Sequence, residues 1–255
     1  MGIKVSGVSA SIDVRTAAVW DVVQAAATQR AREVGRPLQV LDLGGGTGGL
    51  AVPLAALGHA VTVIDPSPDA LASLRRRATE VGVSIQAEQG DTESLSGQIA
   101  PGSMDLVCCH GTLEMVDDPP AALAALVVTL APAAVLSVVA AGRLGAVVSR
   151  ALAGHLAQAR AILDSPQGTS GPDDLLRWRF DSEELQASLQ ELGLVVQTHP
   201  VRLLSDLVPA SALATDADRR AVLHLEEAIG RDPRSAFLDR AGAVIHLLGH
   251  RPALA

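Results

Sequence analysis

Tyrosine is absent from the 255 residues, and phenylalanine and tryptophan contribute two each. A core must therefore be built from Ala, Val and Leu, and hydrophobic residues at 48% supply ample material for one. Cysteine is almost as scarce. Cys108 and Cys109 are adjacent, which suits a mutual disulfide poorly, so they are expected as buried thiols of a reducing compartment. Positive charge is short as well: a formal net charge of -8 excludes a global basic footprint for nucleic acid and leaves room only for a local patch. No apolar run reaches the roughly 18 residues of a membrane span. The start of the chain lacks the apolar stretch of a secretory signal. These absences predict a soluble cytoplasmic protein with no membrane partner, and the length suits one large domain over residues 1–255. No internal repeat is visible.

What is present is a stretch around which the chain is organised, Val40-Leu-Asp-Leu-Gly-Gly-Gly-Thr-Gly-Gly49. A short apolar run that ends in glycines and is followed by the Ala-rich Leu50 to Leu57 predicts a strand turning tightly into a helix. Such a turn lets a ligand lie against the main chain, where the helix presents its free N–H groups. Gly44, Gly46 and Gly49 also satisfy the G-x-G-x-x-G of dinucleotide folds, so the glycines alone leave NAD open. Asp42 points elsewhere. A carboxylate near the end of an apolar strand needs a cationic or hydrogen-donating partner, and a ligand with an amino group and a sulfonium would serve.

Along the chain, periodicity predicts an N-terminal helix over 13–35, with Val14, Ala18, Val22 and Ala25 on its apolar face. Strands follow at 38–43, 60–64, 83–88, 104–109 and 133–140, alternating with helices at 48–58, from Ser67 or Pro68 to Val81, and from Pro119 to Leu130. This is the half, 38–140, expected to hold the ligand. Asp65-Pro66 closes the second strand about 20 residues beyond the glycines, where such folds hold a ribose by its hydroxyls. Asp91 and Thr92 follow the third strand, in place for an adenine, although Asp91 alone reads equally well as a turn residue. His110 ends the fourth strand, facing the reacting centre. Residues 143–180 read as an insertion or lid: one helix over 143–163, then a mobile connection rich in Ser, Pro and Gly over 164–174. A substrate-side half over 181–255 carries a helix from Asp181, a strand at 194–198, a helix at 219–229 and a last strand at 243–249.

The spaced elements Asp42-x-Gly44-x-Gly46-x-Gly48, Asp65, Gly90-Asp91 and Cys109-His110 together resemble the class I S-adenosylmethionine-dependent methyltransferases. The resemblance implies an α/β, doubly wound, Rossmann-like seven-stranded sheet whose last strand is antiparallel. It implies S-adenosyl-L-methionine as cofactor, with Gly44, Gly45, Gly46 and Gly48 on the methionine part, Asp65 on the ribose, and Asp91 with Thr92 on the adenine. A narrower likeness rests on Arg15 with Trp20, His110-x-x-Leu113-Glu114-x-Val116-x-Asp118-Pro119, Val135-Leu136-Ser137, Val201-Arg202 and Ala243-Val244-Ile245-His246. These look like the bacterial tRNA wobble-uridine carboxyl methyltransferases, which esterify 5-carboxymethoxyuridine, and tRNA would then be the partner. That family carries a lysine run in the insertion, where this chain is acidic and Gly-rich over 165–174. Methylation of a carboxylate of that uridine in tRNA is the leading expectation, and the missing basic run keeps beside it the alternative, a small-molecule O- or N-methyltransferase of a biosynthetic route.

Two chemistries remain open at this stage. A carboxylate acceptor is already ionised at pH 7 and needs cationic partners rather than a base, for which Arg15, Arg143, Arg177, Arg179 and Arg202 are the available guanidinium groups. A hydroxyl acceptor would need a general base, and His110 is placed for that or for ordering its loop. His246 reads as a satisfied core histidine, and Glu114 as a brace. No metal is expected.

Overall fold

The computed structural model describes residues 14–201, 204, 207–232 and 242–253, with the side chains of 14–16, 200, 210, 212, 216, 230 and 231 left out. Helix α1 (Val14–Val34) precedes strand β1 (Gln39–Leu43), and then α2 (Ala51–Ala56), β2 (Ala60–Asp65), α3 (Pro68–Val81), β3 (Gln86–Gln89), α4 (Leu95–Gln98), β4 (Met104–His110) and α5 (Pro119–Thr129) alternate. After β5 (Leu130–Ala141) come α6 (Arg143–Leu152) and α7 (Leu156–Asp164), then α8 (Ser182–Glu191), β6 (Val195–Val201), α9 (Asp216–Arg231) and β7 (Val244–His250). The strands form one seven-stranded sheet in the order β3-β2-β1-β4-β5-β7-β6. β1 to β5 are parallel, and β7 runs antiparallel to both β5 and β6. This is the doubly wound sheet expected from the alternation of elements, with the reversed last strand that the resemblance implied.

Period-2 alternation sorts the strand side chains onto two faces. Val40, Val61, Val63, Leu106, Cys108, Val135 and Leu248 pack under α1, α2 and α3. Leu41, Leu43, Ile64, Val107, Cys109, Leu136, Val138 and Leu247 pack under α4, α5 and α8. Helix α9 lies against β6 and α1. Local chemistry explains several boundaries. Ser67 Oγ accepts from Ala70 N at the start of α3, ahead of Pro68 at a position that has no N–H to satisfy. Asp118 caps α5 in the same way, accepting from Ala121 N, and Thr215 with Asp218 forms a capping box on α9.

The sequence reading needs correction in five places. The buried face of α1 is Val19, Val23 and Ala27, while Ala25 is exposed: the true stripe lies one residue round from the one periodicity suggested. Residues 48–50 form turns, and α2 begins only at Ala51, because positive φ at Gly48 holds that residue outside a right-handed helix. Strand β3 is four residues at the sheet edge, since Val83 N still bonds back to Ala78 O at the end of α3. The predicted helix over 143–163 is two helices, broken where Gly154 turns left-handed. Finally, the connection over 164–174 is closed on itself rather than loose. Asp174 accepts from Ser170 N and Oγ, from Leu176 N and from both terminal nitrogens of Arg179.

Candidate active site

The glycine turn leaves β1 with its backbone committed to a tight shape. Gly44, Gly46 and Gly48 all have positive φ, and Gly44 N donates to Ile64 O at 2.7 Å, which binds the turn to the end of β2. A Cβ at Gly44 would overlap Thr112 Oγ1, whose hydroxyl donates to Leu43 O at 3.0 Å. The first glycine is thus required by the loop after β4 as well as by its own φ. A Cβ at Gly45 would stand 2.6 Å from Asp42 Oδ2, so the carboxylate lies directly beneath the turn.

Asp42 is buried, and its Oδ2 has no hydrogen-bond partner. Burial, with Asp65 adding to it, pushes its carboxyl up to about 7. Asp65, also buried, is by contrast well held: Oδ2 accepts from Gly46 N at 2.8 Å and Oδ1 from Ser67 N at 2.9 Å. Each oxygen retains a lone pair, so the group can still receive two hydroxyls. Pro66 receives the Gln89 side-chain amide on its carbonyl. Asp91 Oδ1 accepts from Glu93 N and Ser94 N, which is the turn role open to it from the sequence, and only Oδ2 is left for a ligand. Thr92 is half-buried beside it.

At the carboxyl end of β4, His110 is half-buried and its Nε2 lies 2.8 Å from Ser137 Oγ on β5. Burial lowers its pKa to about 4, so the ring is neutral at pH 7. The hydroxyl of Ser137 also meets His246 Nε2 on β7 at 3.0 Å. Sheet register places His110, Val139, His246 and His199 in one row across β4, β5, β7 and β6. Nothing in the sequence foretold that row, because it exists only through pairings between strands far apart in the chain. His246 is a core histidine, as read, but only in part a satisfied one: its Nδ1 is buried without a partner.

Glu114 is a brace, though of the end of β5 and the insertion and not of the cofactor loop or the following helix, as its position had suggested. Its Oε1 accepts from Ala141 N at 2.6 Å, and its carbonyl accepts from Arg177 N and Trp178 N, tying the loop after β4 to the insertion. Burial raises its pKa against the opposing pull of its own backbone amide, of that of Ala141 and of Arg179. The thiols of Cys108 and Cys109 are free and buried; burial, then Glu114, pushes Cys109 up to about 12.

The candidate guanidinium groups are distributed unevenly. Arg179 is paired with Asp174 inside the insertion, and Arg177 with Asp117. Arg143 donates through Nη2 to Pro166 O, with Nε 3.5 Å from Asp181. The side chain of Arg15 and all of Arg202 lie outside the described residues. A cavity of about 550 Å³ opens within the insertion, lined by Arg150, Gln158, Ser170, Asp173, Leu175 and Leu176, and it is separate from the glycine turn. Among the described residues no cluster of three or more His, Cys, Asp or Glu could hold a metal ion, and no helix is long and apolar enough to cross a membrane.

Sheet order, reversed last strand and a polar cluster at the carboxyl ends of β1, β2 and β4 define the class I methyltransferase fold. Residues 40–133 match the family model described as a methyltransferase domain. Among curated relatives, the ubiquinone biosynthesis O-methyltransferase of Xanthomonas euvesicatoria is 33% identical over 159 residues, which are 62% of this chain and 63% of that protein. The chain therefore matches less than two thirds of that relative's length. An S-adenosylmethionine-dependent methyltransferase from Mesorhizobium loti shares the fold with a TM-score of 0.60 and 18% identity over 94% of this chain and all of that one. The magnesium protoporphyrin IX methyltransferase of Synechocystis PCC 6803, solved with bound S-adenosylhomocysteine, gives a TM-score of 0.58 and 16% identity over 93% and 85% of the two chains. At such identities these two structures speak to fold alone.

Proposed function

We propose that this protein is an S-adenosylmethionine-dependent methyltransferase that places the methyl group on an oxygen of a small molecule. The observation that carries the reading is the strand-end pair of carboxylates. Asp65 is oriented by two backbone amides with lone pairs to spare, and Asp42 lies beneath Gly45, with one buried oxygen lacking a partner. An orphaned carboxylate is costly to bury, and a cationic ligand against the turn would relieve it. In this reading Gly44, Gly45, Gly46 and Gly48 give the methionine part its backbone surface, Asp65 accepts from the ribose hydroxyls, and Asp91 Oδ2 with Thr92 borders the adenine. The cofactor supplies a methyl group already activated on a sulfonium. The chain's task is then alignment and exclusion of water, with no redox or metal step required. His110 stands at the acceptor side as a neutral imidazole.

The name of the curated relative supports a small-molecule acceptor over tRNA. So do the net charge of -8 and the engagement of Arg177 and Arg179 with carboxylates of the chain itself. Arg15 and Arg202 remain the proposed cationic neighbours of the acceptor, whereas Arg143 is engaged by Pro166 O and Asp181.

Isothermal titration tests the first half: S-adenosylhomocysteine should bind, NADH should not, and Asp65→Ala should weaken binding at least about tenfold through the two lost ribose bonds. Transfer of labelled methyl then tests the second, with small carboxylic acids and phenols set against hypomodified tRNA. Label entering tRNA in place of the small molecules overturns the acceptor assignment, and absence of cofactor binding overturns the whole reading.

A further inference from the structure

Ser137 sits between two histidines. It is fully buried, and the only hydrogen bonds of its hydroxyl among the described residues are to His110 Nε2 at 2.8 Å and to His246 Nε2 at 3.0 Å. A hydroxyl has one proton to donate and lone pairs to receive with, so counting donors limits the arrangements. If both imidazoles donated to Oγ, the hydroxyl proton would be stranded in the core. If both presented lone pairs, one would go unserved. One ring therefore donates to Ser137, and the other accepts from it.

The free nitrogen of His246 decides which. Its Nδ1 is buried and has no partner, and the neighbouring ring, His199, at 5.5 Å between centroids, likewise has a buried and unpartnered nitrogen, Nε2. An orphaned buried N–H is rarer than an under-used acceptor, so His246 is better placed with its proton on Nε2 and a bare lone pair on Nδ1. With His246 donating through Nε2, Ser137 must donate onward to His110 Nε2, and the proton of neutral His110 is forced to Nδ1.

We propose that Ser137 and His246 are positioning residues that hold His110 in the Nδ1–H tautomer, so that His110 meets the methyl acceptor as a hydrogen-bond donor and not as a base. The proposal rests on the methyltransferase reading above. Nδ1 is the nitrogen of His110 that has no bond to the described residues, and the residue lies at the end of β4 beside the loop whose Thr112 touches the glycine turn. His110 and Ser137 then act as one unit: a fixed N–H steadies an acceptor oxygen that arrives ionised, with no proton to remove.

The test is the tautomer itself, read by multiple-bond nitrogen–proton NMR on histidine-labelled full-length protein, with the His110 signals assigned by their loss in His110→Asn. The expected spectrum shows His110 protonated at Nδ1, in contrast to the commoner Nε2 form. Ser137→Ala should release it toward Nε2–H, and Ser137→Thr, which keeps the hydroxyl, should retain the wild-type pattern. In turnover, Ser137→Ala should lower kcat about tenfold, with binding of S-adenosylhomocysteine unchanged. A wild-type His110 protonated at Nε2 overturns the proposal, and this result needs no Ser137 variant to fold. Failure of wild-type protein to bind S-adenosylhomocysteine would sink the methyltransferase reading instead, leaving the tautomer measurement to stand by itself.

Discussion

The half of the molecule built on β1 to β4 and the insertion that follows β5 solve the same problem with different materials. In the first, loops are held by main-chain groups: Gly44 N on Ile64 O, Gly46 N and Ser67 N on Asp65, Gly48 N on Gly45 O. In the second they are held by long charged side chains: Arg179 on Asp174 and Gly168 O, Arg143 on Pro166 O, Arg177 on Asp117. Backbone-held loops keep their carboxylates available to a ligand. Side-chain-held loops consume their guanidinium groups in holding themselves. Arg143, Arg177 and Arg179 are therefore poor evidence for an anionic partner.

The sharpest way to break the comparison is to remove a guanidinium. The Asp174 and Arg179 side chains are 6% and 8% exposed. Burial pulls the Asp174 carboxyl upward, but Arg179 and the amides of Ser170 and Leu176 outweigh it and hold it well below the usual range. Arg179→Ala leaves that charge buried and unpaired, and chemical denaturation should register a loss of about 3–5 kcal/mol. Replacing both partners with apolar residues of similar volume should recover most of it. Failure of the single variant to destabilise would show the insertion to be held by something else.

Next in size is an opposition in pH dependence within the main-chain-held half. Folded His110 stays neutral down to about pH 4, whereas the unfolded side chain takes a proton near 6.5, so its contribution to stability declines as pH falls through that window. Asp42 runs the other way. Its folded carboxyl titrates at about 7 and its ordinary value is 3.8, so its contribution declines as pH rises from about 4 to 7. Urea titrations between pH 4.5 and 6.5 should show His110→Asn and Asp42→Asn shifting the wild-type slope in opposite directions, each on the order of 3 kcal/mol at full extent. Slopes that move together would refute the assignment of either group.

Gly44→Ala should cost about 2 kcal/mol, through its φ of +71° and the displaced Thr112, and should abolish binding of S-adenosylhomocysteine in the same titration. Smallest is Asp118→Ala at the start of α5. It should cost about 1 kcal/mol in thermal unfolding and leave cofactor binding untouched, which separates a cap from a ligand-facing carboxylate.

The same contrast governs what could be read from the amino acids alone. Gly44, Gly46, Gly48, Ser67, Pro68 and Asp118 carry local rules of φ and capping, and the elements they bound fall within a few residues of expectation. The count of seven strands with the last one reversed came from resemblance, and the strand order from the structure alone, since pairing between distant strands is not written in any window of sequence. Gly154 was legible as a glycine but was missed as a break, because Ala- and Leu-rich sequence on both sides runs with helical propensity. The Asp174–Arg179 pair was opaque: composition rich in Ser, Pro and Gly reads as loose until a buried partner closes it. Ser137 gave no chemical signal at all, being a single hydroxyl in an apolar strand. It acquires one only when register brings His110 and His246 to either side.

The position of β7 between β5 and β6 has a consequence in time. Strand β6 is made some 45 residues before the partner that joins it to the sheet, and it borders no other strand. A chain growing from the ribosome can assemble the parallel β1–β5 layer while β6 is held out, its edge unserved, until β7 threads into the gap. Arrest of synthesis just ahead of Val244 should therefore yield a nascent chain whose first five strands resist protease while the segment after Leu194 is cut, a molecule that closes at one stroke when its last strand arrives.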